Sequence, residues 1–92
     1  MFVYIATNKR NNVLYVGVTN DVVRRGEEHK FGDNESFTHK YRIGKIVYVE
    51  ECQRPYDAIA REKQLKHWSR KKKFDLIRSQ NPEFNDYLGD FE

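Results

Sequence analysis

Glu62 falls in the middle of an apolar stripe marked by Ala58, Ile59 and Leu65, with Trp68 at its margin, in a stretch whose spacing predicts a helix. Burying an unpaired carboxylate costs several kcal/mol or drives its pKa upward. Glu62 therefore needs a cation, and Arg25, a lysine or a metal ion could each supply it; a structural salt bridge is the plain alternative to a ligand role. A second polar set lies on an earlier helix. At about 100° per residue, Val22, Arg25, Gly26 and His29 project within one quadrant, and Val22 marks that quadrant as the inward side. An arginine and a histidine thus point where apolar packing is expected, unless that face is simply solvated. Tyr4 and Tyr15 lie on two strand-like runs, where a tyrosine can act on a substrate or merely pack.

Charge is informative through its distribution. The chain carries 17 Lys and Arg against 14 Asp and Glu, a net charge of +3 that is only a mild sign of a polyanionic partner. Between Arg61 and Lys73, however, stand Arg61, Lys63, Lys66, Arg70, Lys71, Lys72 and Lys73 against one acid, Glu62. The stretch 82–92 holds Glu83, Asp86, Asp90 and Glu92 and no base. The basic run suits phosphate and the acidic tail does not.

The elements that must position these residues are short. FVYIAT at 2–7 and VLYVGV at 13–18 read as a β-hairpin joined by a polar loop with asparagines at both ends. If that loop centres between Lys9 and Arg10, Tyr4 faces Tyr15. A slip of two residues keeps both on one face, whereas a slip of one separates them. Thr19 or Asn20 can cap a helix from Asp21 to about Lys30. The segment 31–44 lacks clean periodicity and reads as a long loop, with room for a short helical turn; His39, Lys40 and Tyr41 lie in it. KIVYVEEC at 45–52 is a third strand, and Pro55 opens a helix to about His67. Ser69 can cap a last helix over 70–80 whose apolar side is Phe74, Ile77 and Leu76. The order β-β-α-β-α-α predicts an α+β fold, a small three-stranded antiparallel sheet flanked by helices.

Ninety-two residues support one core, so 1–92 is read as a single domain with 82–92 as its acidic tail. No apolar run approaches the roughly 18 residues a membrane span requires. MFVYIATNKR places its apolar stretch before its charge, the reverse of a secretory signal, which predicts a cytoplasmic protein. A single cysteine, Cys52, excludes an intramolecular disulfide and a clustered-thiolate zinc site.

Val3-Tyr4-Ile5, then Tyr15-Val16-Gly17, then Arg25, and later Ala60-Arg61-Glu62-Lys63-Gln64-Leu65-Lys66 together resemble the GIY-YIG nuclease superfamily, especially its small stand-alone bacterial members. The resemblance covers about residues 1 to 80. It implies that Tyr4 and Tyr15 are the tyrosines of the two tripeptides, Arg25 the helix arginine and Glu62 the metal-ligand glutamate, with His29 where the family often has histidine or tyrosine. Val18 departs from the pattern, since the family's repair nucleases carry a lysine three residues after the second tyrosine. No residue is matched to the late asparagine of some homing endonucleases.

The activity implied is metal-dependent hydrolysis of phosphodiester bonds in nucleic acid, with DNA placed ahead of RNA and Mg2+ or Mn2+ as cofactor. Glu62 would hold the ion, Arg25 would bind the scissile phosphate, and Tyr4, Tyr15 or His29 would accept the proton of the attacking water. Lys63, Lys66, Arg70, Lys71, Lys72 and Lys73 would bind flanking phosphates without reading bases. A protein partner would supply the substrate specificity that so small a domain lacks. The alternative is a nucleic-acid-binding module of the same fold with little or no cleavage. The five central residues are expected to converge on one concave face.

Overall fold

The computed structural model describes residues 1–31 and 43–88, with side chains over 1–27 and 43–88. Its elements are β1 (Phe2–Thr7), β2 (Leu14–Thr19), α1 (Val22–Phe31), β3 (Lys45–Glu51), α2 (Pro55–His67) and α3 (Arg70–Gln80). The order is the expected β-β-α-β-α-α, and β1 lies between β2 and β3 in an antiparallel sheet. The short helical turn considered between 31 and 44, with His39, Lys40 and Tyr41, lies outside the described residues.

The hairpin register pairs Tyr4 with Gly17 and Ala6 with Tyr15. This is a two-residue slip from the Tyr4–Tyr15 pairing, and its cause is the connecting loop. The Asn8 Oδ1 accepts the backbone N–H of Asn12 at 3.0 Å and of Val13 at 3.4 Å, and Asn11 takes a left-handed φ of 56°. Side-chain acceptance of this kind lets asparagine replace a backbone turn. The loop is therefore six residues long, and its centre moves one residue toward the C-terminus. Because strand side chains repeat every second residue, both tyrosines stay on the same face.

The sheet is covered on both faces by separate apolar clusters. Val3, Ile5 and Val16 pack with Ala58 and Leu65 of α2, Ile77 of α3 and Phe84. Tyr4, Ala6, Ile43 and Ile46 form the other layer, with Tyr15, Val22 of α1 and Leu88 against it. A bulge in β3 serves this division: Ile5 pairs with Tyr48 and Ala6 with Ile46, leaving Val47 as the extra residue. Val47 and Tyr48 consequently both join the α2 layer.

Local sequence fixes the helix ends. Asp21 itself caps α1, its Oδ1 accepting Arg24 N–H at 3.1 Å, while the Thr19 hydroxyl accepts Asp21 N–H. The helix thus starts one residue later than expected, because Asp21 is the cap and Thr19 supports it from behind. Pro55 opens α2, and the Ser69 Oγ caps α3 by accepting Lys72 N–H at 3.1 Å. Ile59, expected in the buried stripe of α2, is 45% exposed. It stands about 100° round the helix from Ala58, and a helix on a sheet buries a narrower arc than that.

The stretch read as an acidic tail is described as far as Leu88, and it lies along the outer edge of β3. Gln80 grips Val49 by accepting its N–H at 3.1 Å and donating to its carbonyl at 3.0 Å. The Asn81 Nδ2 donates to Val47 O, the Asp86 carboxylate accepts Ile46 N–H, and Tyr87 N–H donates to Ile46 O. These groups satisfy the unpaired backbone that an edge strand otherwise exposes.

Candidate active site

Tyr4 sits in the middle of β1, the central strand, and is completely buried. Its ring lies 6.2 Å from that of Tyr15, tilted by 40°, with Tyr15 on the edge strand β2 and half-buried. The space for the Tyr4 phenol exists because its strand partner is glycine. A Cβ on Gly17 would stand 2.5 Å from the Tyr4 Oη and 2.6 Å from Cζ, a contact no side chain can make. The glycine of Tyr15-Val16-Gly17 therefore acts as a slot for the tyrosine of the neighbouring strand.

Arg25 completes this group. The capped start of α1 brings it over the sheet, where its Nε donates to the Tyr4 Oη at 3.2 Å. Gly26 sets how closely α1 can approach, since a Cβ there would fall 2.0 Å from Leu88 Cδ1. The C-terminal segment thus contributes Leu88 to the packing between α1 and the sheet. Of the five residues expected on one concave face, Tyr4, Tyr15 and Arg25 share a face of the sheet. The side chain of His29, one turn further along α1, lies outside the described residues.

Glu62 belongs to the other layer. On α2, Ala58 and Leu65 form the buried stripe, and at about 100° per residue Arg61 and Glu62 flank it on opposite margins. Arg61 reaches β3, its Nε and Nη2 lying 3.0 and 3.3 Å from the two carboxylate oxygens of Glu50. Glu62 is therefore on the margin away from β3, toward β2, the strand that carries Tyr15. Its side chain is 21% exposed, and Oε2 pairs with Lys66 at 3.3 Å. Of the side-chain cations the sequence allowed, a lysine is in contact. This i,i+4 pair is partly solvated, and such pairs contribute only about 0.3–0.5 kcal/mol, so it does not occupy the carboxylate strongly.

Sequence reasoning passed over the clasp around Glu50. Besides Arg61, Glu50 accepts the Tyr48 hydroxyl at 2.7 Å, and Arg61 also donates to Gln64 and stacks 5.2 Å from the Trp68 ring. Burial, together with the bond to the Glu50 carboxylate, pushes the Tyr48 phenol up to about 12. The signal present in the sequence was an arginine beside a helix glutamate and an acid near the end of the third strand, which only tertiary packing connects.

The basic run divides by position. Arg70, Lys71 and Lys72 are exposed in the first turn of α3 and Lys73 is half-buried, and that turn contains no acid. Cations at this end of a helix oppose its dipole and are better tolerated beside an anion. Lys72 Nζ lies 4.3 Å from the Trp68 ring, and Lys71 pairs with Asp75 at an exposed i,i+4 distance of 3.4 Å. Trp68 is half-buried against the α2 layer and faces cations, as suits an anchor between α2 and α3.

Comparison with known proteins places the chain in a family. The family model of the GIY-YIG catalytic domain matches residues 1–75. The chain belongs to the GIY-YIG family. It is similar to a UPF0213 protein of Staphylococcus aureus, 35% identical over 77 residues that cover 84% of this chain and 93% of the relative. A UPF0213 protein of Pseudomonas aeruginosa is 36% identical over 67 residues, 73% of this chain and 64% of the relative. The match therefore spans just under two thirds of that relative's length. No solved structure matches the chain. The family is one of nucleases, and the matched residues include β1 and β2, the strands that carry Tyr4 and Tyr15. Among the described residues, no helix is long and apolar enough to cross a membrane.

Whether these residues suit a divalent cation can be judged from Glu62. Among the described residues, no three His, Cys, Asp or Glu side chains cluster as a metal cage. A single half-buried carboxylate, engaged through one oxygen by a weak lysine pair, suits a hard ion that keeps most of its water. Mg2+ or Mn2+ fits that description.

Proposed function

We propose that this GIY-YIG domain hydrolyses phosphodiester bonds of nucleic acid, DNA ahead of RNA, with a divalent cation, Mg2+ or Mn2+, held by Glu62 and water. The observation that carries the reading is the hydrogen bond from Arg25 to the buried Tyr4 beside Tyr15. That bond fixes the direction of a guanidinium whose planar fork matches the geometry of a phosphate. When bound, the cation would polarise a phosphate oxygen and stabilise the leaving oxygen.

The two tyrosines then divide the work. Tyr4 is wholly buried, so its phenol serves to orient Arg25. Tyr15 is half-buried on the edge strand, and it is the phenol that meets the attacking water and takes or relays its proton. Arg25 offsets the charge that gathers on the phosphate in the transition state. His29 is an additional proton acceptor on the same helix. Lys63, Lys66, Arg70, Lys71, Lys72 and Lys73 bind flanking phosphates and make affinity salt-dependent. A protein partner narrows the choice of substrate.

The test is cleavage of a mixed panel of DNA and RNA oligonucleotides, single-stranded, duplex and branched, with Mg2+, Mn2+ or chelator. The reading expects metal-dependent cleavage that Tyr15→Phe and Arg25→Ala each slow strongly. Salt-sensitive binding with no cleavage of any substrate would instead make the domain a binding module.

A further inference from the structure

We propose that Arg61 is a positioning residue for Glu62, acting through its clasp on Glu50, and that it is not one of the phosphate-binding cations. The proposal rests on the reading of Glu62 as the ion's ligand. α2 buries only two residues, Ala58 and Leu65, against the sheet. Apolar contact of that extent is non-directional and leaves the helix free to roll about its axis by small angles. The polar clasp removes this freedom, since Arg61 and Glu62 flank the buried stripe on opposite margins and a roll that lifts one lowers the other.

The geometry of the clasp is that of a fixed strut. Nε and Nη2 of Arg61 engage the two oxygens of Glu50 at 3.0 and 3.3 Å, and Nη1 donates to the Gln64 Oε1 at 2.8 Å. The guanidinium also lies 5.2 Å from the Trp68 ring. The Nε/Nη2 edge is thereby committed to Glu50, and a phosphate fork cannot use that edge while the clasp holds. Glu50 is held in turn by the Tyr48 hydroxyl at 2.7 Å. The pair is only partly exposed, at 24% for Arg61 and 29% for Glu50, so it is more firmly held than a surface ion pair. A lysine at 61 would keep the charge but could not form the fork.

The experiment compares Arg61→Gln, Arg61→Lys, Glu50→Gln and the double variant Arg61→Gln/Glu50→Gln with the wild type. Apparent Mn2+ affinity is read from thermal shifts across a Mn2+ titration without nucleic acid, kcat and KM from cleavage, and oligonucleotide affinity against salt in chelator. Loss of support for a metal ligand typically weakens metal binding on the order of 10-fold, and that is the fall expected for Arg61→Gln and Glu50→Gln alike. The double variant should be no worse than the weaker single variant, kcat should fall with Mn2+ affinity, and the salt slope should not change. Arg61→Lys should be intermediate, and it carries the test if the glutamine variants do not fold. A lower melting temperature in chelator with unchanged Mn2+ affinity would reduce the clasp to scaffold and overturn the proposal. A flattened salt slope in Arg61→Gln, with tighter oligonucleotide binding by Glu50→Gln, would make Arg61 a phosphate contact and also overturn it. A wild type that Mn2+ does not stabilise would remove the Glu62 reading and this proposal with it; a stabilised wild type with unaffected variants would remove this proposal alone.

Discussion

The Arg25 Nε donates to the Tyr4 Oη at 3.2 Å, joining two residues 21 positions apart. This bond ties the first helix to the central strand and gives the arginine a fixed direction. Removing a group that stabilises transition-state charge costs about 10²–10³ in kcat. Arg25→Ala should lose that much in a cleavage assay with little change in melting temperature. Tyr4→Phe, which removes the hydroxyl and keeps the ring, should lose less activity than Arg25→Ala, and the double variant no more than Arg25→Ala alone.

Gly17 is the position where the slot can be closed. A Cβ there would stand 2.5 Å from the Tyr4 Oη, and the ring is buried on a central strand with little room to retreat. Overpacking of this kind costs about 1–3 kcal/mol. Gly17→Ala should therefore lower the urea midpoint and, by displacing the phenol, reproduce the kcat loss of Tyr4→Phe. A variant with full stability and full activity would show that the ring moves freely.

The elements were legible in the sequence because their signals are local. β-rich runs bounded by polar turns marked the three strands, Pro55 and Ser69 marked two helix starts, and the tripeptide spacing placed both tyrosines on one face whichever even register formed. The register itself was not legible, since it depends on how Asn8 and Asn11 build the loop. Glu62 and Lys66 could be paired by their i,i+4 spacing, whereas Arg61 and Glu50, in a helix and a strand, meet only after the sheet has formed. The acidic composition of 82–92 gave no hint that Asp86 would serve a strand's backbone.

Asn81 tests the covering of the β3 edge. It is 5% exposed, donates to Val47 O at 3.0 Å and Asn85 O at 2.8 Å, and accepts Asn85 N–H at 3.1 Å. Leaving buried backbone groups unpaired costs on the order of 1–3 kcal/mol, so Asn81→Ala should be destabilised by about 2 kcal/mol in urea melts. Size-exclusion chromatography should also detect association through the uncovered edge. Unchanged melts would show that the strand does not need this cover.

Tyr48 predicts an alkaline dependence. Its phenol is held protonated in the fold, with its pKa pushed up from 10.0 to about 12 by burial and by Glu50. The group contributes stability that is fully present below pH 10 and is lost as pH rises through about 12, because the unfolded chain ionises first. The stability difference between wild type and Tyr48→Phe should therefore narrow across that window. Parallel pH profiles of the two proteins would show that the phenol ionises as easily folded as unfolded.

Glu62→Gln bears most directly on the proposed role of the domain, because the amide keeps the shape of the side chain and loses the charge that holds a divalent cation. The pair with Lys66 is partly solvated, so in chelator the variant should melt within about 0.5 kcal/mol of the wild type. The decisive measurement is a pair of thermal melts with and without Mg2+, run beside cleavage of a mixed DNA and RNA panel. The account predicts near-equal melting in chelator, with both the Mg2+-induced stabilisation and the cleavage absent from Glu62→Gln. A variant that melts much lower in chelator yet still cleaves with Mg2+ would contradict it and return Glu62 to the scaffold.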